Sequence, residues 1–143
     1  MQPIDFRKQL RRTEKIRMRK HLTQMTREER AFVHGLIRSR LERVTGAPHF
    51  YDRATERTFT LSDAVRTLRC GLVVEVHNNT PGDIRALVRD SLGTCAVVSL
   101  RSWQIVTVYY NAPEDPHNTL DWTPYRWRTN LVELVKELRK VAA

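Results

Sequence analysis

The chain has 143 residues, 41% of them hydrophobic and 29% charged, with a formal net charge of +9. That length is one domain's worth and can bury a real core, and no stretch approaches the roughly 18 apolar residues of a membrane span. The opening MQPIDFRKQLRR has no apolar h-region, so a cytoplasmic protein without a cleaved signal or membrane partner is expected. In such a chain Cys70 and Cys95 are expected as small buried thiols, not as a disulfide. There is no CxxC and no HExxH, so neither a metal nor another cofactor is expected.

The charge is unevenly placed. Residues 1–45 hold 13 Lys/Arg against 5 Asp/Glu, whereas residues 46–143 hold 12 against 11. Such asymmetry points to an acidic partner, most often nucleic acid, and the excess of arginine over lysine favours planar, bidentate phosphate contacts.

In chain order, residues 5–24 read as a basic helix of weak amphipathicity. Phe6, Leu10, Ile16, Met18 and Leu22 do not make one clean stripe. Its cations Arg7, Lys8, Arg11, Arg12, Lys15, Arg17, Arg19 and Lys20 are the candidate phosphate contacts. A second helix opens at the capping box Thr26–Glu29 and carries Val33, Leu36, Ile37, Leu41 and Val44 at helical spacing. Gly46 is expected to end it in a left-handed cap. His34 adjoins the stripe and reads as a boundary histidine. Pro48 can open a short third helix, on which His49, Arg53 and Glu56 or Arg57 share one face. Thr60 and Asp63 cap a further helix through Leu61, Ala64, Val65 and Leu68, which stops at Gly71.

After Gly71 the period changes to two. Four strands, Leu72–His77, Ile84–Asp90, Thr94–Leu100 and Trp103–Tyr110, read as an antiparallel meander. On the first, Leu72, Val74 and Val76 oppose Val73, Glu75 and His77. On the second, Ile84, Ala86 and Val88 oppose Arg85, Leu87 and Arg89. One face should pack on the helices while the other carries charge. The Arg101-Ser102 link lacks the Asn-Gly type of pair that two-residue hairpins favour, so its turn type is open. Residues 111–124 are irregular, and Thr123-Pro124 can cap a last helix over 124–141. The expected fold is α+β: a single domain over 1–143 in which N-terminal helices pack on a four-stranded antiparallel β-meander, with a C-terminal helix.

This order of helices and meander resembles the barnase–EndoU–colicin–RelE superfamily of small ribonuclease toxins. More narrowly, HFYDRATERTFTLSDAVRTLRCGLVVEVH is similar to a toxin-like family within it. That family's pattern is His, three residues, Arg, an acidic-Arg pair, Ser/Thr opening a helix, then Gly and a Val-Val-Glu strand. Here the positions are His49, Arg53, Glu56-Arg57, Thr60, Gly71 and Val73-Val74-Glu75, and the closing strand matches Ile105 to Tyr109. The resemblance covers residues 47–112 and implies metal-independent cleavage of RNA.

Such cleavage uses the substrate's own 2′-hydroxyl as nucleophile. It needs a base near that hydroxyl, an acid near the leaving 5′-oxygen and cations around the phosphate. His49 leads as base or acid, with Arg53 and Arg57 as phosphate clamps. His77, on the charged sheet face near Arg85 and Arg89, is the second proton-transfer candidate. Tyr109 can orient phosphate or base, and His117, with Asp121 to orient it, is a further candidate in an irregular segment. Glu75 can instead pair with Arg85 across the strands. Two other readings stand beside the nuclease. One is a non-catalytic nucleic-acid-binding or regulatory protein on the same scaffold. The other is a protein-interaction module whose basic helices grip an acidic partner such as an antitoxin.

Overall fold

A computed structural model describes residues 12–48, 50, 59–80, 82–111 and 122–142. The elements are α1 (Arg12–Arg17), β1 (Arg19–His21), α2 (Arg27–Ser39), β2 (Thr45–Gly46), α3 (Leu61–Cys70), β3 (Leu72–Thr80), β4 (Asp83–Arg89), β5 (Thr94–Ser99), β6 (Gln104–Tyr110) and α4 (Leu131–Ala142). The fold is α+β, but the sheet has six strands rather than four, in the order β1-β3-β4-β5-β6-β2. The meander β3–β6 is antiparallel as its short links require. β1 extends it antiparallel to β3, and β2 extends it parallel to β6.

Both added strands come from stretches the sequence suggested were helical. Within 5–24, the described residues are α-helical only at Arg12–Arg17, and Leu22–Gln24 form a 3-10 turn. Between them the backbone pairs with the edge of β3, and Asn78 N–H donates to Met18 O at 2.8 Å. A segment without an apolar stripe gains little as a helix, whereas pairing satisfies its polar backbone. At the other edge α2 stops at Ser39, and Gly46 belongs to β2 rather than to a left-handed cap.

The core lies between one face of the sheet and the helices. α2 supplies Val33, Leu36 and Ile37, α3 supplies Ala64 and Leu68, and Trp127, Leu131 and Val135 come from the C-terminal part. Val73, Val76, Ile84, Ala86, Val88, Ala96, Val98, Ile105 and Val108 meet them from the sheet. Both capping boxes form as the sequence reads: Thr26 with Glu29 on α2, and Thr60 with Asp63 on α3. α4 starts later than expected. Asn130 Oδ1 accepts from Val132 N–H and Glu133 N–H at 3.0 and 3.2 Å, so Asn130 rather than Thr123-Pro124 caps it.

Gly71 ends α3 for a reason of space. Its backbone is extended, but a Cβ there would lie 2.7 Å from the carbonyl oxygens of both Arg89 and Thr67. The β5–β6 link closes on Ser99, whose hydroxyl accepts from Arg101 and Ser102 N–H, while Trp103 takes φ 60°. Cys95 is buried as expected but Cys70 is exposed, because it sits at the solvent side of the last turn of α3; neither is in a disulfide.

The least expected contact is a buried ion pair. Lys20 Nζ donates to Glu29 Oε2 at 2.7 Å, with side-chain exposures of 10% and 2%. Glu29 Oε2 also accepts from Leu131 N–H at 3.0 Å, and its Oε1 accepts from Thr26 N–H at 2.9 Å. Burial pushes the Glu29 carboxyl up, but the Lys20 hydrogen bond, the two backbone donors and the Lys20 charge together hold it below its ordinary 4.5. A carboxylate with a depressed pKa contributes stability above its unfolded value that is lost as pH falls through the folded one. Glu29→Ala is therefore expected to cost about 3–5 kcal/mol near neutrality, the cost shrinking as pH drops below the carboxylate range. Urea unfolding midpoints across a pH series check this. Gly71→Ala, tested in the same way at neutral pH, is expected to cost about 1–3 kcal/mol through overpacking.

Candidate nucleic-acid interface

A β-bulge decides which side chains face away from the helices. The β3–β4 register shifts between Val73 and Glu75, so Val74 has no partner in the ladder. Val73 and Val76 therefore both enter the core, three residues apart, and Leu72 is exposed. The simple alternation of Leu72, Val74 and Val76 against Val73, Glu75 and His77 is broken at this point. Val74 packs instead with Leu87, Cys95, Val97, Val106 and Tyr109, a small apolar cluster separate from the main core.

With that phase, three strands align Arg19, His77 and Arg85 as direct neighbours, and Ser99 of β5 continues the row. The next row holds His21, Glu75, Leu87, Val97 and Thr107. A third holds Arg89, Cys95 and Tyr109. Adjacent strands are about 4.8 Å apart, so Arg19 and Arg85 flank His77 at a separation of about 10 Å. His77 lies within β3 rather than at its end.

Arg19 and Arg85 on this face each have a carboxylate partner. Arg85 pairs with Asp83, its Nη2 3.0 Å from Oδ2, and not with Glu75. The bulge sets Glu75 opposite Leu87, where the straight alternation would not have aligned Arg85 with it in any case. Glu75 is 1% exposed; its Oε1 accepts from the Tyr125 hydroxyl at 3.3 Å and its Oε2 lies 3.5 Å from Arg19 Nη1. Among the described residues, neither Glu75 Oε2 nor Arg19 Nε has a hydrogen-bond partner. Burial pushes the Glu75 carboxyl above its ordinary value, with the Arg19 charge and the Tyr125 hydrogen bond opposing. Burial also raises Tyr109, assisted by Cys95 and Glu75, and raises the Cys95 thiol to about 11 despite Arg89. Tyr109 and Cys95 are therefore neutral near pH 7 and suited to packing and orientation, not to nucleophilic attack. Arg89 Nη2 donates to Asn111 O at 3.1 Å.

Of the residues singled out from the sequence, the structure brings together Arg19, His77 and Arg85, with Arg89 and Tyr109 on the same face. Lys20 is corrected: it points to the opposite face and spends its charge on Glu29, because alternate residues of a strand face opposite ways. Arg17 is exposed beside Pro124 and Arg126. Arg7, Lys8, Arg11, His49, Arg53, Arg57, His117 and Asp121 lie outside the described residues, as do the side chains of Arg12 and Lys15. His34 is structural, its Nε2 accepting from Val73 N–H at 2.9 Å and its Nδ1 meeting Arg30 O at 2.8 Å.

Sequence reasoning missed the segment Trp122–Arg128, reading it as irregular up to Pro124 and as the start of a helix from there. Tyr125 and Trp127 are buried while Arg126 and Arg128 are exposed, a period of two that marks extended chain. Arg126 N–H donates to Arg17 O at 2.9 Å, which fastens this segment beside β1. Trp122 stacks on His21 with ring centroids 4.3 Å apart and planes at 10°. His21 also caps the 3-10 turn, its Nδ1 accepting from Thr23 N–H at 3.2 Å, and burial pushes its pKa down.

Because the folded-state pKa of Glu75 is raised, its proton favours the native state. The buried carboxylate costs stability at high pH, and that cost disappears as pH falls through the raised pKa. Glu75→Gln is expected to raise the urea midpoint at about pH 8 and to lose this advantage near the ordinary carboxyl value of 4.5. Paired unfolding curves at the two pH values check it.

Comparison of this chain with protein-family models, with curated proteins and with solved structures finds no match.

Proposed function

We propose that this protein is a metal-independent endoribonuclease of the barnase–EndoU–colicin–RelE kind that its sequence resembles, acting on cytoplasmic RNA at the sheet face away from the helices. The observation that supports this reading most is the alignment of Arg19, His77 and Arg85 on three adjacent strands. An imidazole between two guanidinium groups suits a phosphodiester. The arginines stabilise charge on the non-bridging oxygens as it builds, and the imidazole is a group of the kind that takes or gives a proton in such a step. The 2′-oxygen forms the new bond to phosphorus, the bond to the 5′-oxygen breaks, and that oxygen leaves protonated. The product is a 2′,3′-cyclic phosphate and a 5′-hydroxyl.

In this reading His77 is one proton-transfer group and His49 the other, with Arg53 and Arg57 as further clamps. His117 is the alternative to His49. Glu75 is a positioning residue: buried behind Arg19, it restrains that guanidinium instead of touching substrate. Tyr109 orients, since its shielded hydroxyl keeps its proton.

A second reading, a nucleic-acid-binding protein without catalysis, draws on a different observation. Arg19 and Arg85 each hold a carboxylate, Glu75 and Asp83, which reduces the net field on the row. The two are separated by incubating the purified protein with total RNA in EDTA and analysing the new ends. The nuclease reading expects cleavage leaving 2′,3′-cyclic phosphate, with the rate reduced about 10²–10⁴-fold by His77→Ala or His49→Ala while binding falls only modestly. RNA that stays intact, yet is bound with strong salt dependence, would leave the binding protein.

A further inference from the structure

The segment Trp122–Arg128 builds a feature that the proposed chemistry does not use. Two adjoining hollows lie along the β1 edge of the sheet and share Arg126. One, of about 450 Å³, is lined by Arg17, Pro124 and Arg126. The other, of about 170 Å³, is lined by Lys20, Gln24, Tyr125, Arg126, Trp127 and Arg128. Among these lining residues there is no carboxylate. Lys20 is neutralised by Glu29, which leaves three exposed guanidinium groups along the hollows, Arg17 on one, Arg128 on the other and Arg126 on both.

The groove is built, not merely basic. Arg126 N–H is held by Arg17 O, and its guanidinium Nη1 donates to the carbonyls of Thr123 and Tyr125. Carbonyls fix the guanidinium without cancelling its charge, so its Nε and Nη2 hydrogens can serve an outside acceptor. Tyr125 and Trp127 anchor the same stretch from below, both buried. This differs from the row on the sheet face, where Arg19 and Arg85 carry their own carboxylates. The hollows and the row are linked through the chain and through one contact: Arg17 precedes Arg19 by two residues, and the Tyr125 hydroxyl reaches Glu75, the partner of Arg19.

We infer that this edge groove holds the phosphate backbone of a single-stranded stretch of RNA and delivers it to the Arg19–His77–Arg85 row. The inference rests on the ribonuclease reading for its destination but not for its binding. Arginines that contact only phosphate read no sequence and do not require the 2′-hydroxyl. The groove should therefore take a single-stranded oligodeoxynucleotide, which cannot be cut by 2′-hydroxyl attack.

That probe supplies the test. Fluorescence anisotropy with a labelled oligodeoxynucleotide is followed over a salt series for wild type, Arg17→Gln, Arg128→Gln, the double variant and Arg38→Gln. Each groove arginine removed is expected to weaken binding and to lower the slope of log K against log salt by about 0.7, the effects adding in the double variant. Arg38→Gln, which removes an exposed cation of α2 away from both hollows, is expected to bind as wild type does. Both groove positions are exposed, and unchanged thermal unfolding confirms that the variants fold. An unaltered salt slope in the double variant overturns the groove. Competition by inorganic pyrophosphate alone, at the concentration at which the oligonucleotide is displaced by unlabelled strand, also overturns it and assigns the site to a small anion. An enzyme that binds through the groove but leaves all RNA intact removes the ribonuclease reading and keeps the groove.

Discussion

The Lys20–Glu29 pair ties three elements of this molecule together at one buried point. It joins β1 to the first turn of α2, and through Leu131 N–H and Thr129 O it also fastens the start of α4. Buried ion pairs add little net stability against an apolar substitute, because desolvation consumes most of the attraction. Their strength is in specifying an arrangement, since a buried charge left alone is costly. Here the arrangement specified is the direction of a strand only three residues long. Once Lys20 is drawn to the helix side, Arg19 and His21 must face the other way. The candidate interface owes its first cation to a lysine that takes no part in it.

The bulge at Val74 does for β3 what Lys20 does for β1. A straight strand would have kept a single phase from Leu72 to His77, committing every second residue to the core. By leaving one residue unpaired, β3 buries Val73 and Val76 on one face and presents Glu75 and His77 on the other. The arrangement has a cost: Glu75 is enclosed under Arg19 and Tyr125 with one oxygen lacking a hydrogen bond among the described residues. Structures tolerate such a group where it serves a site, and here it lies directly behind the arginine next to His77.

Local signals with a strong physical basis were readable in the chain. The boxes Thr26–Glu29 and Thr60–Asp63 satisfy orphan N–H groups within four residues, and the four strands of the meander follow from alternation and short links. What could not be read depends on contacts distant in sequence. β1 is a strand because β3 offers an edge some 55 residues on, a pairing its own three residues cannot announce. The six-stranded width, the early end of α2 and the role of Gly46 share that origin, as β2 exists only beside β6. The interface was legible in its residue types, His77, Arg85, Arg89 and Tyr109, but not in its register, because a bulge leaves no mark in composition. The stretch Trp122–Arg128 did carry a mark, alternating buried aromatics with exposed arginines, which the proline at 124 disguised as a helix start.

The two groups of arginines differ in how their charge is balanced, and this separates what each can do. On the sheet face, Asp83 and Glu75 restrain Arg85 and Arg19, giving fixed geometry at reduced net charge. Fixed donors matter most where charge develops during a reaction, since they need no reorganisation at that moment. At the edge, backbone carbonyls restrain Arg126 and leave its charge whole, while Arg17 and Arg128 stand in solvent beside it. Uncompensated charge suits capture, because affinity for a polyanion comes from phosphates neutralised and counterions released. A strand arriving at the β1 edge would thus meet full charge first and matched, rigid charge second. The order follows from the chain itself, in which Arg17 and Arg19 bracket Met18 and the pairing of β1 with β3 turns them toward different partners.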